Sequence, residues 1–394
     1  MTMRLLVFAD DPAVPTGFGK VSDHVLKPLA DSGEYEIHFC GLNYRGDMPD
    51  GERYPYHYYM PWLSPLQEAY GVGRMDELLE KVKPDVVWIQ NDLPIVRRYY
   101  IISKLLANTP TVVSSPVDGD PFPLRYLDGI RQAAVPVVWT QYAREVITRL
   151  DPELGARLRL IPLGYNAAEF YPLATNKAEA QQQARLKVPD ADPNWFIVLR
   201  VDKNHQRKNW PATLRAFARF AADKPEARLW VHTPLRPDYG YDLESLANLY
   251  GMGDRLINSE VGITVAQLNT IYNLADVHLS TTAGGGWELS TTEAHAAGTP
   301  TIITDYAAMS EIGAPGGLLT PYRAKYTERQ NNTEYVLVDE DAVVAQLNRL
   351  YEDKNLRAWL RQEALHCAPH QTWEAQRVAE QYDQAFRDAV AHAA

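Results

Sequence analysis

Two glutamates follow a glycine run in TTAGGGWELSTTEAHAAGTP, residues 281–300. Glycine has no Cβ, so three consecutive glycines at the end of a strand let a ligand approach the backbone closely. Their amides lead into a predicted helix N-terminus, which favours phosphate. Ser290 and Glu293 also fit the S-x-x-E pattern of a capping box, with Gly298 ending that helix. The stretch therefore predicts a capped helix, an anion-binding loop, or both.

A cluster of cations follows an apolar run in VDKNHQRKNW, residues 201–210. Lys203, Arg207 and Lys208 lie there in one loop ahead of a predicted helix. Such a cluster suits a pyrophosphate, whose charge must be neutralised and whose oxygens need hydrogen-bond donors. The alternative is a solvated basic loop, because exposed Lys and Arg are common.

Two glycines lie where the first predicted strand turns into the first helix, in PTGFGK, residues 15–20. Gly17 and Gly19 would allow positive φ and close approach of an anion, although a plain tight turn fits equally well. The second strand ends without an acidic residue to hold a ribose. A nicotinamide cofactor is therefore disfavoured.

Asp118 and Asp120 in PVDGDPFP are the carboxylates that could bind a divalent ion, but in a Pro/Gly turn such residues are usually turn formers. Six histidines are scattered along the chain and form neither a metal-ligand spacing nor a catalytic triad: His24, His38, His205, His232, His278 and His295. We therefore expect no metal site.

Apolar runs alternate with amphipathic stretches along both halves of the chain, which predicts parallel sheets covered on both faces. We expect two Rossmann-like domains that face each other across a cleft, with residues 1–172 and 173–370, and a returning helix in 371–394. Residues 173–192 read as a connecting segment. The predicted strands are residues 4–10, 35–42, 84–92, 109–118, 135–141, 158–164, 195–202, 227–234, 254–260, 275–281 and 299–305. The predicted helices include residues 20–31, 75–82, 97–107, 142–150, 211–223 (capped by Asn209, with Pro211 in its first turn) and 372–393.

The composition is that of a folded protein, with 46% hydrophobic and 23% charged residues. A net charge of −11 gives no overall field toward nucleic acid or anionic membranes. No apolar run approaches the roughly 20 residues of a membrane span, and the N-terminus is too short for a signal peptide. Cys40 and Cys367 are expected as buried, reduced thiols of a cytoplasmic protein.

Taken together, these stretches resemble the retaining glycosyltransferases of the GT-B fold, in the large GT4-type family of group 1 glycosyltransferases. IPLGYNAAEFYP (161–172) is similar to the signature that ends the family's first domain. Residues 268–312 are similar to its E-x7-E block, and TWEAQRVAEQYDQAF (372–386) to its C-terminal helix. TGFGKVS, QND, PVDG and RKNW look like a branch often carried by bacteriophages, some of whose enzymes glycosylate modified bases in DNA.

The resemblance implies a donor site. Glu293 corresponds to the second Glu of E-x7-E, which holds the donor's ribose hydroxyls, and Lys208 to the lysine that touches the donor pyrophosphate. Lys203 takes the place of the paired arginine, with Arg200 as the alternative. The remaining donor-binding residues implied are loop residues: Gly17, Gly19, Gly284, Gly285, Gly286, Trp287 and Leu289.

The chain departs from the family pattern at two places. The first Glu of E-x7-E falls on Gly285, and Glu288 follows three residues later. The family's active-site histidine has no match, and Asp118 lies nearest to its place. The catalytic candidates are therefore Asp118, Lys208 and Glu288.

The function implied is metal-independent transfer of a hexose, with retention, from a UDP- or GDP-sugar such as UDP-glucose to an acceptor hydroxyl. The nucleotide sugar is then a substrate, and no cofactor is expected. A glycan, a small molecule and a hydroxymethylated base in DNA stay open as acceptors, with the Tyr-rich loop 54–62 and Arg97–Arg98 as a candidate acceptor surface. The alternatives are a nucleotide-sugar epimerase of the same fold and a non-catalytic nucleotide-sugar-binding protein. Self-association is also left open.

Overall fold

The computed structural model describes residues 2–14, 16–46, 55–63, 66–259, 262–366 and 373–393. The chain divides into two compact units. Unit 1 comprises Met1–Gly164, Arg329–Thr333 and Thr372–Ala394, and unit 2 comprises Tyr165–Glu328 and Glu334–Gln371. Cys40 is a buried free thiol, and Cys367 lies outside the described residues.

Unit 1 is built on a seven-stranded parallel sheet in the order β3-β2-β1-β4-β5-β6-β7. Its strands are β1 (Met3–Asp10), β2 (Tyr35–Leu42), β3 (His57–Tyr59), β4 (Val86–Gln90), β5 (Thr111–Ser115), β6 (Val135–Val138) and β7 (Arg159–Leu160). The first helices are α1 (Gly17–Asp31), α2 (Met75–Val82), α3 (Leu93–Ile102), α4 (Leu127–Ile130), α5 (Gln141–Leu150) and α6 (Pro152–Arg157). Strands β4 and β5 are buried at every residue, as strands covered on both faces must be.

Unit 2 is built on a six-stranded parallel sheet in the order β10-β9-β8-β11-β12-β13, with an antiparallel hairpin beside it. Its helices are α7 (Lys177–Lys187), α8 (Trp210–Phe220), α9 (Leu243–Leu249), α10 (Val265–Leu274), α11 (Leu289–Ala296), α12 (Ala308–Gly313), α13 (Glu340–Glu352) and α14 (Lys354–His366). Its strands are β8 (Phe196–Val201), β9 (Ala227–His232), β10 (Leu256–Asn258), β11 (Val277–Ser280), β12 (Thr301–Thr304) and β13 (Gly317–Thr320), and the hairpin is β14 (Tyr322–Thr327) and β15 (Glu334–Val338). The prediction of two parallel-sheet α/β domains is therefore confirmed.

The last helix, α15 (Ala375–Ala393), belongs to unit 1, where it packs on α1 and on the strands β4, β5 and β6. The hydroxyls of Tyr382 and Ser114 lie 2.8 Å apart, and Trp139 Nε1 donates to Ser114 Oγ at 2.9 Å. The ring of Tyr382 also packs on Trp88. The buried side chains of the helix recur at helical spacing: Val378, Ala379, Tyr382, Ala385, Phe386 and Ala389.

Local predictions were wrong at three places. The segment read as a Tyr-rich loop contains the edge strand β3, which pairs with β2. The segment read as a connection contains α7, whose N-terminus is capped by Asn176 Oδ1 accepting from the Glu179 amide. Asn209 precedes α8 at φ 50° but makes no side-chain cap hydrogen bond. Among the helices of the described residues, none combines the length and hydropathy that a membrane span requires.

Candidate active site

The glycine loop and the basic loop of unit 2 lie against each other. Strands β8 and β11 are parallel neighbours, so the loops that follow them leave the sheet at the same edge. Arg207 Nη1 donates to the Gly284 carbonyl at 2.6 Å, and the Ala283 amide donates to the Arg207 carbonyl at 2.9 Å. The two sequence patterns therefore form one site at the carboxyl ends of the strands.

Lys208 lies between two buried carboxylates at this site. Its Nζ is 2.8 Å and 3.0 Å from the two Glu288 oxygens and 3.0 Å from Asp202 Oδ1. The side chains of Lys208, Asp202 and Glu288 are 12%, 8% and 1% exposed. The ammonium group is therefore held in one place by opposite charges, with little water to screen them.

Arg200 lies beside these three residues. We call Arg200, Asp202, Arg207, Lys208 and Glu288 together the ion cluster. Arg200 is fully buried, stacks 4.4 Å from the Trp210 ring centroid, and lies 3.3 Å from Asp202 Oδ2. It donates to Thr281 Oγ1 at 2.6 Å, and also to the Thr213 hydroxyl and the Lys208 carbonyl. The hydrogen bond to the Lys208 carbonyl ties Arg200 to the loop that carries Lys208.

The two carboxylates of the cluster have pKa values shifted in opposite directions. Complete burial raises the pKa of Glu288, and the neighbouring Asp202 adds to that, although Lys208 and Arg207 oppose it. Burial also acts to raise the pKa of Asp202, but the charges of Lys208 and Arg200 together lower it. Asp202 is therefore the permanent counter-ion, and Glu288 is the carboxylate that takes up a proton more readily.

Gly285 lies directly against the ion cluster. A Cβ at this position would come within 2.9 Å of Glu288 Oε1 and 3.2 Å of Arg207 Nη1. Both of those side chains are fixed by other contacts, to Lys208 and to Gly284 respectively. The bare backbone at residue 285 is therefore what makes room for Glu288.

Helix α11 begins earlier than predicted, and the capping box does not form. Glu288 occupies the N-cap position without a side-chain cap bond, so Ser290 lies inside the first turn. Glu293 is buried and accepts a hydrogen bond of 2.7 Å from the Tyr272 hydroxyl of α10. Gly298 ends the helix at φ +72°, as predicted. Glu293 is thus oriented by a neighbouring helix.

We expect Tyr272→Phe to lower the free energy of unfolding by about 1–3 kcal/mol, because the buried Glu293 carboxylate loses a hydrogen-bond donor. Urea denaturation measures this. Tyr239→Phe is the matched control, since Tyr239 is 94% exposed in the same unit. Equal stability of the two variants would show that the Tyr272 hydroxyl does not support Glu293.

The other predicted donor-binding residues of unit 2 are partly brought together. Trp287 is buried, and its Nε1 donates to Thr292 Oγ1 at 3.1 Å, while Leu289 is the first residue of α11. Gly286 is buried in the loop. Lys203 is exposed. Its backbone carbonyl accepts a hydrogen bond from Trp210 Nε1, which ties the loop at Lys203 to the start of α8.

Three predicted residues lie in unit 1. Gly17 and Gly19 form the first turn of α1, and neither has the positive φ that we expected. A Cβ at Gly19 would come within 2.6 Å of the Asp11 carbonyl, so this glycine is required by close packing. Asp118 is half-buried in the loop after β5. Asp120 forms an ion pair of 2.5 Å with Arg149.

Sequence reasoning missed Asp202 and Tyr272. Asp202 follows the last residue of a buried strand, and an acidic residue at that place was the signal for a role at the sheet edge. Arg207 was noticed as part of the basic loop without its contact to Gly284. Tyr272 gave no signal, because its contact with Glu293 joins two helices.

One family model matches part of the chain, and apart from Arg329–Thr333 the residues that it covers lie in unit 2. Residues 193–353 match the family described as "Glycosyl transferases group 1". No curated protein matches the sequence. The stretch contains β8, the basic loop, the glycine loop and α11, that is, every residue of the ion cluster.

Solved structures match over nearly the whole chain. Sucrose-phosphate synthase from Thermosynechococcus elongatus superposes with a TM-score of 0.75 at 18% identity, covering 100% of both chains. Anabaena HepE, solved with UDP-glucose, gives 0.72 at 15% identity and covers 98% of this chain and 99% of its own. WaaG, a glycosyltransferase involved in lipopolysaccharide biosynthesis, gives 0.70 at 14% identity, covering 98% and 99%. At these identities the likeness establishes the GT-B fold. Residues 193–353 therefore match the group 1 glycosyltransferases, and the chain as a whole has the GT-B fold.

Proposed function

We propose that this enzyme transfers a hexose from a nucleoside-diphosphate sugar to an acceptor hydroxyl, with retention at the anomeric carbon and without a bound metal. The observation that carries the proposal is the Lys208 cluster next to the glycine loop. Glycosyl transfer from such a donor needs a group that receives the charge developing on the departing diphosphate.

The charge balance of the cluster supports a diphosphate ligand. Three cations, Arg200, Arg207 and Lys208, stand against two carboxylates, Asp202 and Glu288, so one positive charge is in excess. Proton uptake by Glu288, whose pKa is raised by burial, increases that excess. The N-terminus of α11 adds its dipole at the same place. The site is therefore suited to an anion that arrives and then gains charge.

Lys208, Arg207 and the loop amides would supply the charge stabilisation that a divalent ion provides in other transferases. We therefore expect full activity after treatment with a chelator. Loss of turnover that returns only when Mg²⁺ or Mn²⁺ is added would contradict this part of the proposal.

A uridine diphosphate sugar is our first choice of donor, because the similar Anabaena HepE is solved with UDP-glucose. GDP-sugars are the alternative donor. For the acceptor, the proposal includes a glycan, a small molecule and a hydroxymethylated base in DNA, the last as in a phage-type enzyme. Because the chain carries a net charge of −11, DNA as the acceptor should be tested at low salt, where binding to DNA is strongest.

A thermal-shift screen with UDP- and GDP-sugars tests donor binding, because a ligand that binds only the folded state raises its melting temperature. The best donor is then incubated with each acceptor class, and the anomeric configuration of the product is read by NMR. Stabilisation by one donor and an α-linked product from an α-donor are the expected results.

The same experiment separates the rival functions. An epimerase would convert the donor sugar without acceptor and without release of nucleoside diphosphate. A binding protein would be stabilised by the donor and release no diphosphate with any acceptor. Either pattern would overturn the transferase proposal.

A further inference from the structure

Glu36, His38 and His57 form a cluster of metal-ligating side chains at the edge of the unit 1 sheet. Among the described residues, it is the group whose donor atoms all lie within 4.8 Å of one another. We propose that these three side chains bind one Zn²⁺-class divalent ion, with a fourth coordination position open to solvent. The proposal is independent of the donor site, which lies in unit 2.

The strand register brings the three side chains together. His38 of β2 is the direct partner of His57 of β3, and Glu36 lies two residues before His38 on the same face of β2. The two imidazole rings stack with centroids 4.5 Å apart and planes inclined by 22°. Glu36 Oε1 lies 3.0 Å from His38 Nε2 and 3.6 Å from His57 Nε2.

These separations fit the ligand–ligand distances of a tetrahedral zinc site. Zinc binds imidazole nitrogen and carboxylate oxygen at about 2.0–2.2 Å, so two ligand atoms of a tetrahedron lie about 3.3–3.6 Å apart. The observed 3.0 Å and 3.6 Å bracket that value. All three ligand atoms lie within 4.8 Å of one another, so side-chain movements alone could bring them to tetrahedral distances around one ion.

The chemical types of the three ligand atoms determine which metal ions the site would bind. Imidazole suits zinc, copper and nickel, whereas calcium and magnesium prefer oxygen ligands alone. The Tyr59 hydroxyl lies 3.1 Å from His38 Nδ1, which leaves Nε2 directed at Glu36. Such a contact to the second ring nitrogen is usual for histidines that ligate metals.

The site would join a short edge strand to the sheet. β3 has three residues, and β2 is its neighbour in the described sheet order. Two ligands come from β2 and one from β3, so a bound ion cross-links the two strands. We therefore expect Zn²⁺ to raise the melting temperature of the full chain.

The test is titration of the untagged full-length protein, stripped with a chelator, with ZnCl₂ in a calorimeter. We expect one Zn²⁺ per chain. His57→Ala is the main variant, because the His57 side chain is 62% exposed and its loss leaves the core intact. Loss of an outer-shell partner alone costs about 10–100-fold in metal affinity, so loss of this ligand is expected to cost at least as much.

Two further variants complete the experiment. Glu36→Gln should weaken Zn²⁺ binding and abolish the visible absorption of tetrahedral Co²⁺ in the substituted protein. His366→Ala removes an exposed histidine of α14 and should leave the stoichiometry at one. Equal Zn²⁺ affinity in the wild type and His57→Ala, or no binding at micromolar Zn²⁺, would overturn the proposal.

Discussion

Lys208→Ala is expected to lower the free energy of unfolding by about 3–5 kcal/mol, the usual cost of removing one partner from a buried ion pair. The substitution leaves Asp202 and Glu288, which are 8% and 1% exposed, facing each other without their common cation. It also removes the charge that we assign to the donor diphosphate. We expect the affinity for UDP to fall at least about tenfold, since a charge-assisted hydrogen bond contributes about 1.5–3 kcal/mol.

Urea denaturation and calorimetric titration with UDP measure the two effects. Lys203→Ala is the matched control for the stability measurement, because Lys203 is exposed in the same loop and its removal should change stability by no more than about 0.5 kcal/mol. Glu288→Gln keeps the shape of the side chain and leaves Lys208 paired with Asp202. Because it also removes a negative charge beside the diphosphate, it should bind UDP at least as tightly as the wild type but turn over more slowly. Unchanged UDP affinity in Lys208→Ala would remove Lys208 from the donor site.

Gly285→Glu is expected to lower activity strongly, although it places a glutamate where the similar family has the first Glu of its motif. The new Cβ would lie 2.9 Å from Glu288 Oε1 in a buried site. A second carboxylate would also stand beside Glu288, and buried like charges repel strongly. We expect turnover to fall by about 100-fold or more, because loop displacement moves the groups that stabilise the transition state.

The double variant Gly285→Glu/Glu288→Gly is the test of this explanation. It removes the oxygen that the new side chain would strike and keeps a glutamate at the position of the family's first Glu. We expect it to be more stable than Gly285→Glu in urea denaturation. If the single variant is as active as the wild type, the collision and the repulsion that we describe do not occur.

Most strands of the two sheets could be predicted because a buried strand is a local signal, whereas β3 and β13 were not predicted. Residues 86–89 are apolar and residues 111–115 are apolar or small, and such runs indicate a strand buried on both faces. The capping box at Ser290–Glu293 failed for a physical reason. The S-x-x-E pattern is typical of a helix N-terminus. Residues Thr291–Ala296 of α11 are buried, however, and the Glu293 side chain accepts a hydrogen bond from Tyr272 of α10.

The candidate site was predictable only in part. The glycine loop and the basic loop were visible as patterns, whereas the contact of Lys208 with Glu288 spans 80 residues of sequence. The stacking of His38 on His57 was missed for a similar reason, since the strand β3 had been read as loop. Both contacts, Lys208 with Glu288 and His38 with His57, arise from tertiary packing, which no local sequence pattern encodes.

The position of α15 has a consequence for synthesis of the chain on the ribosome. Tyr382 and Phe386 of α15 pack on Trp88 in the core of unit 1. This core is therefore incomplete until the last helix has been made. Most of unit 2 is one continuous stretch, Tyr165–Glu328. Nascent N-terminal domains usually fold first, but here the first 164 residues must wait for the last. We therefore expect residues 1–164 to expose during translation the apolar surface that α15 covers in the folded protein.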